Sequence, residues 1–439
     1  MEAVVPRRLL YLTPYFPPLA RVGALRPLKF VRFLPEHDWL PVVVCDLWQG
    51  AQVDLDLLGA VPPGVPVERV WSSRAQPAWR RLEHTPPSER SLQRVRSPAK
   101  QDKTSLRERL PDWLNNPELI PLGEHGPRMR YNRRAVERVL ERYPCDAILV
   151  NADPYAAALV GRDIAARHGL PLVVDFRDPW APCELRRPRR PRPIRALVDR
   201  LERRVVQSCD AVIVNTRQAQ RDYRTHYTDL PPERFKCIHN HFDETLIRGG
   251  AQESFEAFSL LFLGNFGRFI KAGVLLQVLA GIKARGFGAD QVQLVVTGRF
   301  PETSWRLASG MGVQDMIRLH PHVPYRQIGA VMEASDLLVL MIQPRGRQRF
   351  AAKLFDYLAS SRPIVAISDN PEVARVLEQC KAGRAFGHAE ISAVVDFVVD
   401  QVTQRQSDIG PKDASAYHSK AATARLAEIL DETLASGPG

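Results

Sequence analysis

The sequence lacks any run of about 18 consecutive apolar residues, the length that a membrane-spanning helix needs. No segment is therefore expected to cross a membrane. The first residues, MEAVVPRRLLYLTPYFPP, place arginines and prolines where a signal peptide would be apolar. A cytoplasmic location is the resulting expectation.

Paired cysteines are also missing, because the six cysteines are scattered and form no Cys-x-x-Cys motif. This spacing argues against a disulfide framework and against a cysteine-ligated zinc site. Two other patterns imitate metal motifs: His320 with His322, and Asp54 with Asp56. The first lacks a third ligand nearby and the second follows no predicted strand, so no metal is expected.

An excess of positive charge occurs only in the first part of the chain. Residues 1–250 hold 41 Lys and Arg against 30 Asp and Glu, whereas residues 251–439 hold 20 against 19. This asymmetry predicts an anionic partner for the first part, such as an anionic membrane surface or a pyrophosphate-linked lipid. The densest run has six arginines between Arg186 and Arg195, and we expect it to contact a lipid headgroup or lipid pyrophosphate. The run lacks interleaved aromatic residues, so no nucleic-acid partner is expected.

Short apolar runs alternate with helical patterns along the chain. This alternation predicts an α/β fold with doubly wound parallel sheets, and 439 residues suffice for two such domains. We predict a first domain over 1–247 with an irregular insertion at about 72–109, a linker over 248–258, a second domain over 259–410 and a C-terminal helical segment over 411–439. The predicted strands are Leu9–Leu12, Val42–Val44, Ala147–Val150, Leu172–Val174, Ala211–Val214, Leu260–Leu263, Val292–Val296, Leu337–Met341 and Ile364–Ile367.

The segment from Arg347 to Ile367 places Asp356 in a short helix directly before an apolar strand. In an open parallel sheet, ligands bind beyond the carboxyl ends of the strands. A carboxylate there can accept hydrogen bonds from two ribose hydroxyls, which predicts a nucleotide site. The alternative is an ordinary amphipathic helix with its acid in solvent.

The residues KLFDYLA, from Lys353 to Ala359, resemble the sugar-nucleotide motif of retaining family 4 glycosyltransferases with the GT-B fold. One branch of that family reads Lys-Leu-Phe-Glu-Tyr-Leu-Ala, so Asp356 stands in place of the second Glu of the motif and Gln348 in place of the first. The resemblance implies two Rossmann-like domains facing a cleft, with the C-terminal helix returning toward the first. It also implies donor binding by Lys353, Leu354 and Asp356, without a metal cofactor.

The second predicted domain carries further matches to this family. After Leu263 the chain reads Gly264-Asn265-Phe266-Gly267-Arg268-Phe269-Ile270-Lys271. Gly264 and Gly267 free backbone N–H groups for the donor diphosphate, and Arg268 and Lys271 can neutralise it in the transition state. Gly298 and Arg299 match in position the family's strand-then-glycine turn, and the turn at His322 corresponds to the family's turn beside the nucleotide base, so all three are expected to bind the donor.

The first predicted domain carries two matches on the acceptor side. The string DFRDPW, from Asp175 to Trp180, resembles the same branch, and Arg177 or Asp178 is expected to meet the acceptor hydroxyl or the transferring sugar. A local Asp–Arg pair is the structural alternative. The loop TPYFPPLARVG resembles the first loop of the family, which places Arg21 and Gly23 beside the acceptor.

The resemblance therefore implies a hexosyltransferase that uses a nucleotide sugar in surface polysaccharide biosynthesis. Its acceptor is expected to be a polyprenyl-pyrophosphate-linked glycan or another glycan, with the enzyme peripheral on the inner face of the cell membrane. Two alternatives stay open. One is a non-hydrolysing sugar-nucleotide epimerase of the same fold, and the other is a non-catalytic partner that binds a nucleotide sugar or a membrane.

Overall fold

The computed structural model describes residues 6–46, 53–70, 119, 133–250, 254–267, 270–344, 346–404, 409–410 and 412–435. The chain divides into two compact units, Met1–His239 with Ser419–Gly439, and Asn240–His418. The second unit begins ahead of the predicted linker over 248–258. The predicted insertion at about 72–109 and the predicted catalytic Arg268 lie outside the described residues.

The described part of the first unit contains a parallel sheet of seven strands in the order β3-β2-β1-β4-β5-β6-β7. Its strands are β1 Arg7–Leu12, β2 Trp39–Asp46, β3 Val67–Val70, β4 Ala147–Asn151, β5 Leu172–Arg177, β6 Ala211–Val214 and β7 Phe235–Cys237. Its helices up to this point are α1 Val22–Phe33, α2 Leu55–Gly59, α3 Arg133–Arg142, α4 Ala156–His168, α5 Arg192–Ser208 and α6 Arg217–His226.

The second unit repeats this plan with a parallel sheet of six strands in the order β10-β9-β8-β11-β12-β13. Its strands are β8 Phe258–Leu263, β9 Val292–Thr297, β10 Ile317–His320, β11 Leu337–Met341, β12 Ile364–Ile367 and β13 Gly383–Phe386. Its helices are α7 Gly273–Ala284, α8 Glu302–Gly310, α9 Ile328–Ala334, α10 Ala352–Leu358, α11 Pro371–Gln379 and α12 Ile391–Gln404.

Both sheets are buried because their inner strands are apolar on both faces, as parallel sheets with helices on each side require. Strands β4, β6, β11 and β12 are buried along their whole length. In the second unit, Leu260, Val296 and Val339 belong to one core cluster that α7 and α12 cover. The prediction of two parallel-sheet α/β domains is confirmed.

The last helix, α13 Ser419–Ala435, belongs to the first unit and packs against α1. Its polar side chains fix this position: Asp431 accepts a hydrogen bond of 2.9 Å from the Trp39 indole, and Glu432 forms an ion pair of 2.7 Å with Lys236. None of the helices in the described parts of the chain is long and apolar enough to span a bilayer.

Candidate functional site

In the second unit, the chain builds the sheet outward in two directions from β8 and β11, which are neighbours. The connections after these two strands leave to opposite sides, so a crevice opens between their carboxyl ends. Open α/β sheets bind their ligands at such a switch point. The residues that follow Leu263 and Met341 are therefore the candidates for a ligand site.

Gly264 follows β8 directly and could not be replaced by a residue with a side chain. Its φ is +133°, and a Cβ atom built there would lie 1.9 Å from Nζ of Lys353. Gly298 follows β9 with φ +141°, and its Cβ would lie 2.3 Å from the carbonyl oxygen of Gly264. The fold thus brings together three of the predicted donor residues, although Lys353 is far from the two glycines in sequence.

Lys353 lies in the first turn of α10 and is partly buried. Its Nζ lies 5.0 Å from the centroid of the Phe262 ring. Within the described residues, Nζ has no hydrogen-bond acceptor and no carboxylate at ion-pair distance. Burial lowers the pKa of Lys353 to about 8, and the charge of Asp356 opposes this shift. The switch point therefore holds a cation that can donate hydrogen bonds to an anion, with the carboxylate of Asp356 close enough to act on its pKa.

Asp356 lies one turn further along α10 and is only 5% exposed. The Oη of Tyr325 donates a hydrogen bond of 2.7 Å to Oδ1 of Asp356. Burial raises the pKa of Tyr325 well above its usual value, and the charge of Asp356 adds to the shift, so the phenol stays a donor. The alternative of an acid in solvent on an ordinary amphipathic helix is therefore wrong. Gln348 is also buried, at 2% exposed.

Tyr325 was not among the predicted site residues. It follows the His-Pro-His-Val-Pro turn, which was predicted to lie near the nucleotide base through His322. The structure leaves His322 exposed, and the neighbouring Tyr325 is the residue of this segment that reaches α10. A tyrosine directly after a proline-bounded turn gives no signal in sequence, because its partner on α10 is 31 residues away.

A cavity of about 390 Å³ lies on the β9 side of Gly264, lined in part by Gly267, Lys271 and Arg299 together with the start of α8. Lys271 is exposed. The backbone N–H of Gly267 donates to Ile270 O at 2.9 Å and that of Arg299 donates to Asn265 Oδ1 at 2.8 Å. These two N–H groups are consequently engaged within the protein. Among the described lining residues, the side chains of Lys271 and Arg299 offer positive charge to the cavity, and that of Glu302 offers negative charge.

Leu354 was predicted to contact the donor, and the structure places its side chain in the interior with no exposed surface. Its backbone N–H donates to Ala351 O at 3.0 Å within the start of α10. Leu354 thus holds α10 against the sheet, and Lys353 and Asp356 are positioned by this anchoring.

The first unit has the same kind of switch point, between β1 and β4. A Cβ atom at Gly23 would lie 2.9 Å from the Tyr15 ring and 3.6 Å from Oδ2 of Asp153, which follows β4. The guanidinium of Arg177 contacts Oδ2 of Asp153 at 2.8 Å and Oδ2 of Asp178 at 3.4 Å. The predicted Gly23, Arg177 and Asp178 therefore lie close together, joined by Asp153, which was not predicted.

Arg177 has a φ of +52°, in the left-handed region that residues with side chains rarely adopt. Its backbone N–H donates a hydrogen bond of 3.0 Å to Oδ1 of Asp175. This local bond and an irregularity in the pairing of β5 with β6 turn the chain at the end of the strand. Backbone strain of this kind is typical of functional sites. Arg21, the other predicted acceptor residue, is exposed, and its side chain lies 5.3 Å over the Tyr15 ring.

The basic run was expected to contact a lipid headgroup or a lipid pyrophosphate, and for two of its arginines contact with the headgroups of a membrane surface is wrong. Arg186 is 7% exposed and Arg190 is 2% exposed, so neither side chain lies on the surface of the protein. Arg187 forms an ion pair with Asp199, in which Nη2 and Oδ2 are 3.1 Å apart. Arg189 and Arg192 are exposed.

Asp54 serves as the N-cap of α2, where its Oδ1 accepts hydrogen bonds from Asp56 N at 3.0 Å and Leu57 N at 3.4 Å. This explains the Asp-x-Asp pattern without a metal. A different group of possible ligands, Asp243, Glu244 and His418, lies close together among the described residues. His418 already contacts Glu244 at 2.9 Å, and Asp243 accepts from Thr245.

Two protein-family models match the chain in tandem. The model described as Glycosyltransferase Family 4 matches residues 94–246, and the model described as Glycosyl transferases group 1 matches residues 257–402. These matches indicate a GT-B glycosyltransferase of the family 4 type. The first matched segment lies in the first unit except for its last seven residues, and the second lies within the second unit, so each unit is recognised by its own model.

The curated relatives of this chain are distant. D-inositol 3-phosphate glycosyltransferase 1 of Catenulispora acidiphila is 23% identical over 264 residues, which are 55% of this chain and 62% of that protein. The D-inositol 3-phosphate glycosyltransferase of Corynebacterium glutamicum is 22% identical over 54% of this chain and 60% of its own length. The chain thus spans less than two thirds of the length of either relative.

Solved structures share the fold over nearly the whole chain. HepE of Anabaena, in complex with UDP, has a TM-score of 0.59 at 15% identity and covers 97% of this chain and 100% of its own. The UDP-GlcNAc 2-epimerase of Methanocaldococcus jannaschii has a TM-score of 0.51 at 11% identity, with 97% and 99% covered. At these identities the similarity shows a common fold and does not distinguish a transferase from an epimerase.

Proposed function

We propose that the protein transfers a hexosyl group, with retention, from a nucleotide sugar bound by the second unit to a glycan or lipid-linked acceptor bound by the first. The observation that carries this proposal is the partly buried Lys353, held against Gly264 at the switch point, whose Nζ makes no hydrogen bond or ion pair among the described residues. Nζ can donate charge-assisted hydrogen bonds to the oxygens of a diphosphate.

The spacing within α10 fits the rest of a nucleotide. Residues three apart on a helix lie on the same side, with their Cβ atoms about 5–6 Å from each other. Asp356 thus follows Lys353 at the distance that separates a diphosphate from the ribose that carries it. A carboxylate offers about four acceptor sites on its two oxygens, so Asp356 can accept from ribose hydroxyls while it holds the hydrogen bond from Tyr325.

The reaction breaks the bond between the anomeric carbon and the diphosphate oxygen and forms a bond from that carbon to an acceptor oxygen. Negative charge grows on the departing diphosphate, and Lys353, with Lys271 and Arg299 on the β9 side, would stabilise it. The acceptor proton is transferred to the leaving phosphate. On the first unit, Arg177, Asp178, Gly23 and Arg21 would position the acceptor. No residue of this mechanism requires a divalent metal.

The proposal is tested by calorimetry of the purified protein with UDP, GDP, ADP and TDP and their hexose derivatives, in the presence of a chelator. We expect one nucleotide series to bind with micromolar affinity. Release of the nucleotide should then depend on an added acceptor. Interconversion of the nucleotide sugar without an acceptor would instead indicate an epimerase, and a failure of all four series to bind would contradict the donor site.

Asp356→Asn is expected to weaken nucleotide binding about tenfold, because a hydrogen bond to a charged acceptor is worth about 1 kcal/mol more than one to a neutral amide. The amide retains the shape of the side chain and can still accept from Tyr325. Calorimetry with the nucleotide found above measures the effect, and Asp396→Asn, at an exposed ion pair with Arg285, is the matched control. Equal affinity in both variants would show that Asp356 does not contact the ribose.

A lipid-linked acceptor in surface polysaccharide assembly would hold the enzyme at the inner face of the cell membrane, and Arg189 and Arg192 are the exposed arginines that could contact that surface. Each contributes about 1 kcal/mol near an anionic leaflet, so Arg189→Ser with Arg192→Ser should weaken vesicle binding about 30-fold. Sedimentation with phosphatidylglycerol vesicles measures this. Arg306→Ser with Arg375→Ser in the second unit removes the same charge, and an equal loss there would argue against a specific surface.

A further inference from the structure

Two arginines of the first unit are buried side by side. Arg186 is 7% exposed and Arg190 is 2% exposed. Arg186 Nη2 donates to the carbonyl of Pro179 at 2.6 Å, and Arg190 Nη1 donates to the carbonyl of Trp180 at 2.9 Å. Because these are consecutive carbonyls, the two guanidinium groups lie next to each other beneath the loop that follows β5.

Aromatic stacking fixes this arrangement. The Trp180 and Tyr155 rings are stacked with centroids 5.0 Å apart and an interplanar angle of 4°. The guanidinium carbon of Arg186 lies 5.2 Å from the centroid of the Tyr155 ring, so Arg186 packs against this stacked pair. The Tyr155 hydroxyl in turn donates to Pro179 O at 3.1 Å. The two arginines thus belong to a rigid packed structure and not to a surface loop.

Neither guanidinium forms an ion pair with a carboxylate among the described residues. The charge of Glu202 acts on Arg190 and that of Asp178 acts on Arg186, but both carboxylates are engaged by other groups. Glu202 accepts hydrogen bonds from Ala181 N, from Tyr223 Oη and from Tyr227 Oη. Asp178 contacts Arg177.

The Nε and Nη2 atoms of Arg190 are buried and have no acceptor within the described parts of the chain. These two atoms form one edge of the guanidinium fork, the edge that holds two oxygens of a carboxylate or phosphate in a bidentate contact. Burial lowers the pKa of Arg190, and the positive charge of Arg186 lowers it further. An unpaired buried charge of this kind is strongly destabilising unless an anion compensates it.

The start of α5 adds to the positive potential. The helix begins at Arg192, two residues after Arg190, and its N-cap, Pro191, provides no side-chain cap. A helix of this length carries a partial positive charge at its N-terminus, where N–H groups favour anions. The Nε of Arg195 in its first turn is also buried without an acceptor among the described residues.

We infer that Arg186 and Arg190 form a binding site for a phosphate group, beneath the Asp178 to Trp180 loop of the first unit. The inference rests on the proposed function in one respect: it assigns this phosphate to the acceptor, which would then be a sugar phosphate or a prenyl diphosphate. The bidentate edge of Arg190 binds two phosphate oxygens, and Arg186 neutralises the remaining charge.

The test is a titration with inorganic phosphate and with pyrophosphate, followed by calorimetry. The protein carries Lys353→Met, so that phosphate does not bind at the donor site. In this background, Arg190→Gln should weaken phosphate binding at least tenfold, and Arg200→Gln, at an exposed arginine of α5, should leave it unchanged. Equal affinity in the Arg190→Gln and Arg200→Gln proteins would overturn the inference.

The melting temperature of Arg190→Gln distinguishes a ligand-binding role of Arg190 from a structural role. Without ligand, Arg190→Gln should leave the melting temperature unchanged or raise it, because the substitution removes a buried charge that has no partner. A lowered melting temperature together with unchanged phosphate binding would show a purely structural role. If Arg190→Gln does not fold, Arg190→Lys serves instead: it keeps the charge but loses the bidentate edge, and phosphate affinity equal to that of the parent would again contradict the site.

Two further ligands identify the source of the phosphate. Inositol phosphate represents a soluble acceptor, and farnesyl diphosphate represents a prenyl acceptor. The ligand that matches the site should bind more tightly than inorganic phosphate, and Arg190→Gln should abolish this difference in affinity. Binding of UDP by the protein with Lys353 intact should be the same with and without Arg190→Gln. If the unsubstituted protein does not bind UDP, the donor site is contradicted but the phosphate site is not, because phosphate binding to Arg186 and Arg190 is measured without nucleotide.

Discussion

Lys353→Met is expected to weaken binding of the donor nucleoside diphosphate about 100-fold, because it removes a charge-assisted hydrogen bond worth about 1.5–3 kcal/mol and the charge itself. The methionine keeps the length of the side chain and its packing on Phe262. In the absence of nucleotide, the variant should be more stable at pH 7, since folding no longer buries a charged amine. Calorimetry gives the affinity and thermal unfolding gives the stability.

Lys353 also predicts how nucleotide affinity depends on pH. Its pKa in the free protein is about 8, below the usual value, so the amine is charged at pH 7 and becomes neutral as the pH rises through 8. Affinity should therefore fall above about pH 8. A bound diphosphate favours the charged form of the Lys353 amine, so binding near pH 8 should take up protons. The phosphate itself does not change this count, because its last proton, with a pKa near 6, has already been lost at that pH. Calorimetry in buffers of different ionisation enthalpy measures this uptake, which should vanish in Lys353→Met.

Substitutions of two other lysines serve as a control and a comparison for this experiment. Lys283→Met alters an exposed amine that contacts Asp315 at 3.1 Å, and it should change neither the affinity nor its pH dependence. Lys271→Met alters the exposed amine of the cavity on the β9 side and should have a smaller effect than Lys353→Met. If Lys271→Met has the larger effect, the diphosphate lies in that cavity and the assignment to Lys353 is wrong.

The inner strands of both sheets were predicted well, because they are apolar on both faces. The runs Ala211–Val214, Leu337–Met341 and Ile364–Ile367 were predicted with the bounds that the structure has. The unpredicted strands lie at the sheet edges, where one side of the strand meets solvent. They are β3, β7, β10 and β13. The middle residues of β10, Arg318 and Leu319, are both exposed, so no apolar run marks that strand.

The candidate site was predictable where its residues share a turn or a helix, as Lys353 and Asp356 do. The partners of the site residues were not predictable, because Tyr325 reaches Asp356 and Asp153 reaches Arg177 only through the fold of each unit. The burial of arginines in the basic run was likewise not predictable from the local sequence. A string of arginines and prolines indicates an exposed surface, yet the end of β5 folds over Arg186 and buries it.

Arg26→Met is expected to destabilise the first unit by about 3–5 kcal/mol, the cost of removing one partner of a buried ion pair. Arg26 Nε and Asp175 Oδ2 are 2.6 Å apart, and the two side chains are 4% and 1% exposed. Arg26 also donates to the carbonyls of Ile238 and His239 at 3.0 and 2.8 Å. One side chain therefore joins α1 to the end of β5 and to the segment after β7, and its loss leaves Asp175 charged in the interior.

Urea unfolding followed by tryptophan fluorescence measures the change, with Arg167→Met, which removes an exposed pair with Glu137, as a control that should alter stability little. Adding Asp175→Asn to Arg26→Met removes the stranded charge and should recover part of the loss, because the amide can still accept from Arg177 N. That bond holds Arg177 in its left-handed conformation beside Asp178. If the double variant is as unstable as Arg26→Met alone, the carbonyl contacts of Arg26 matter more than its charge.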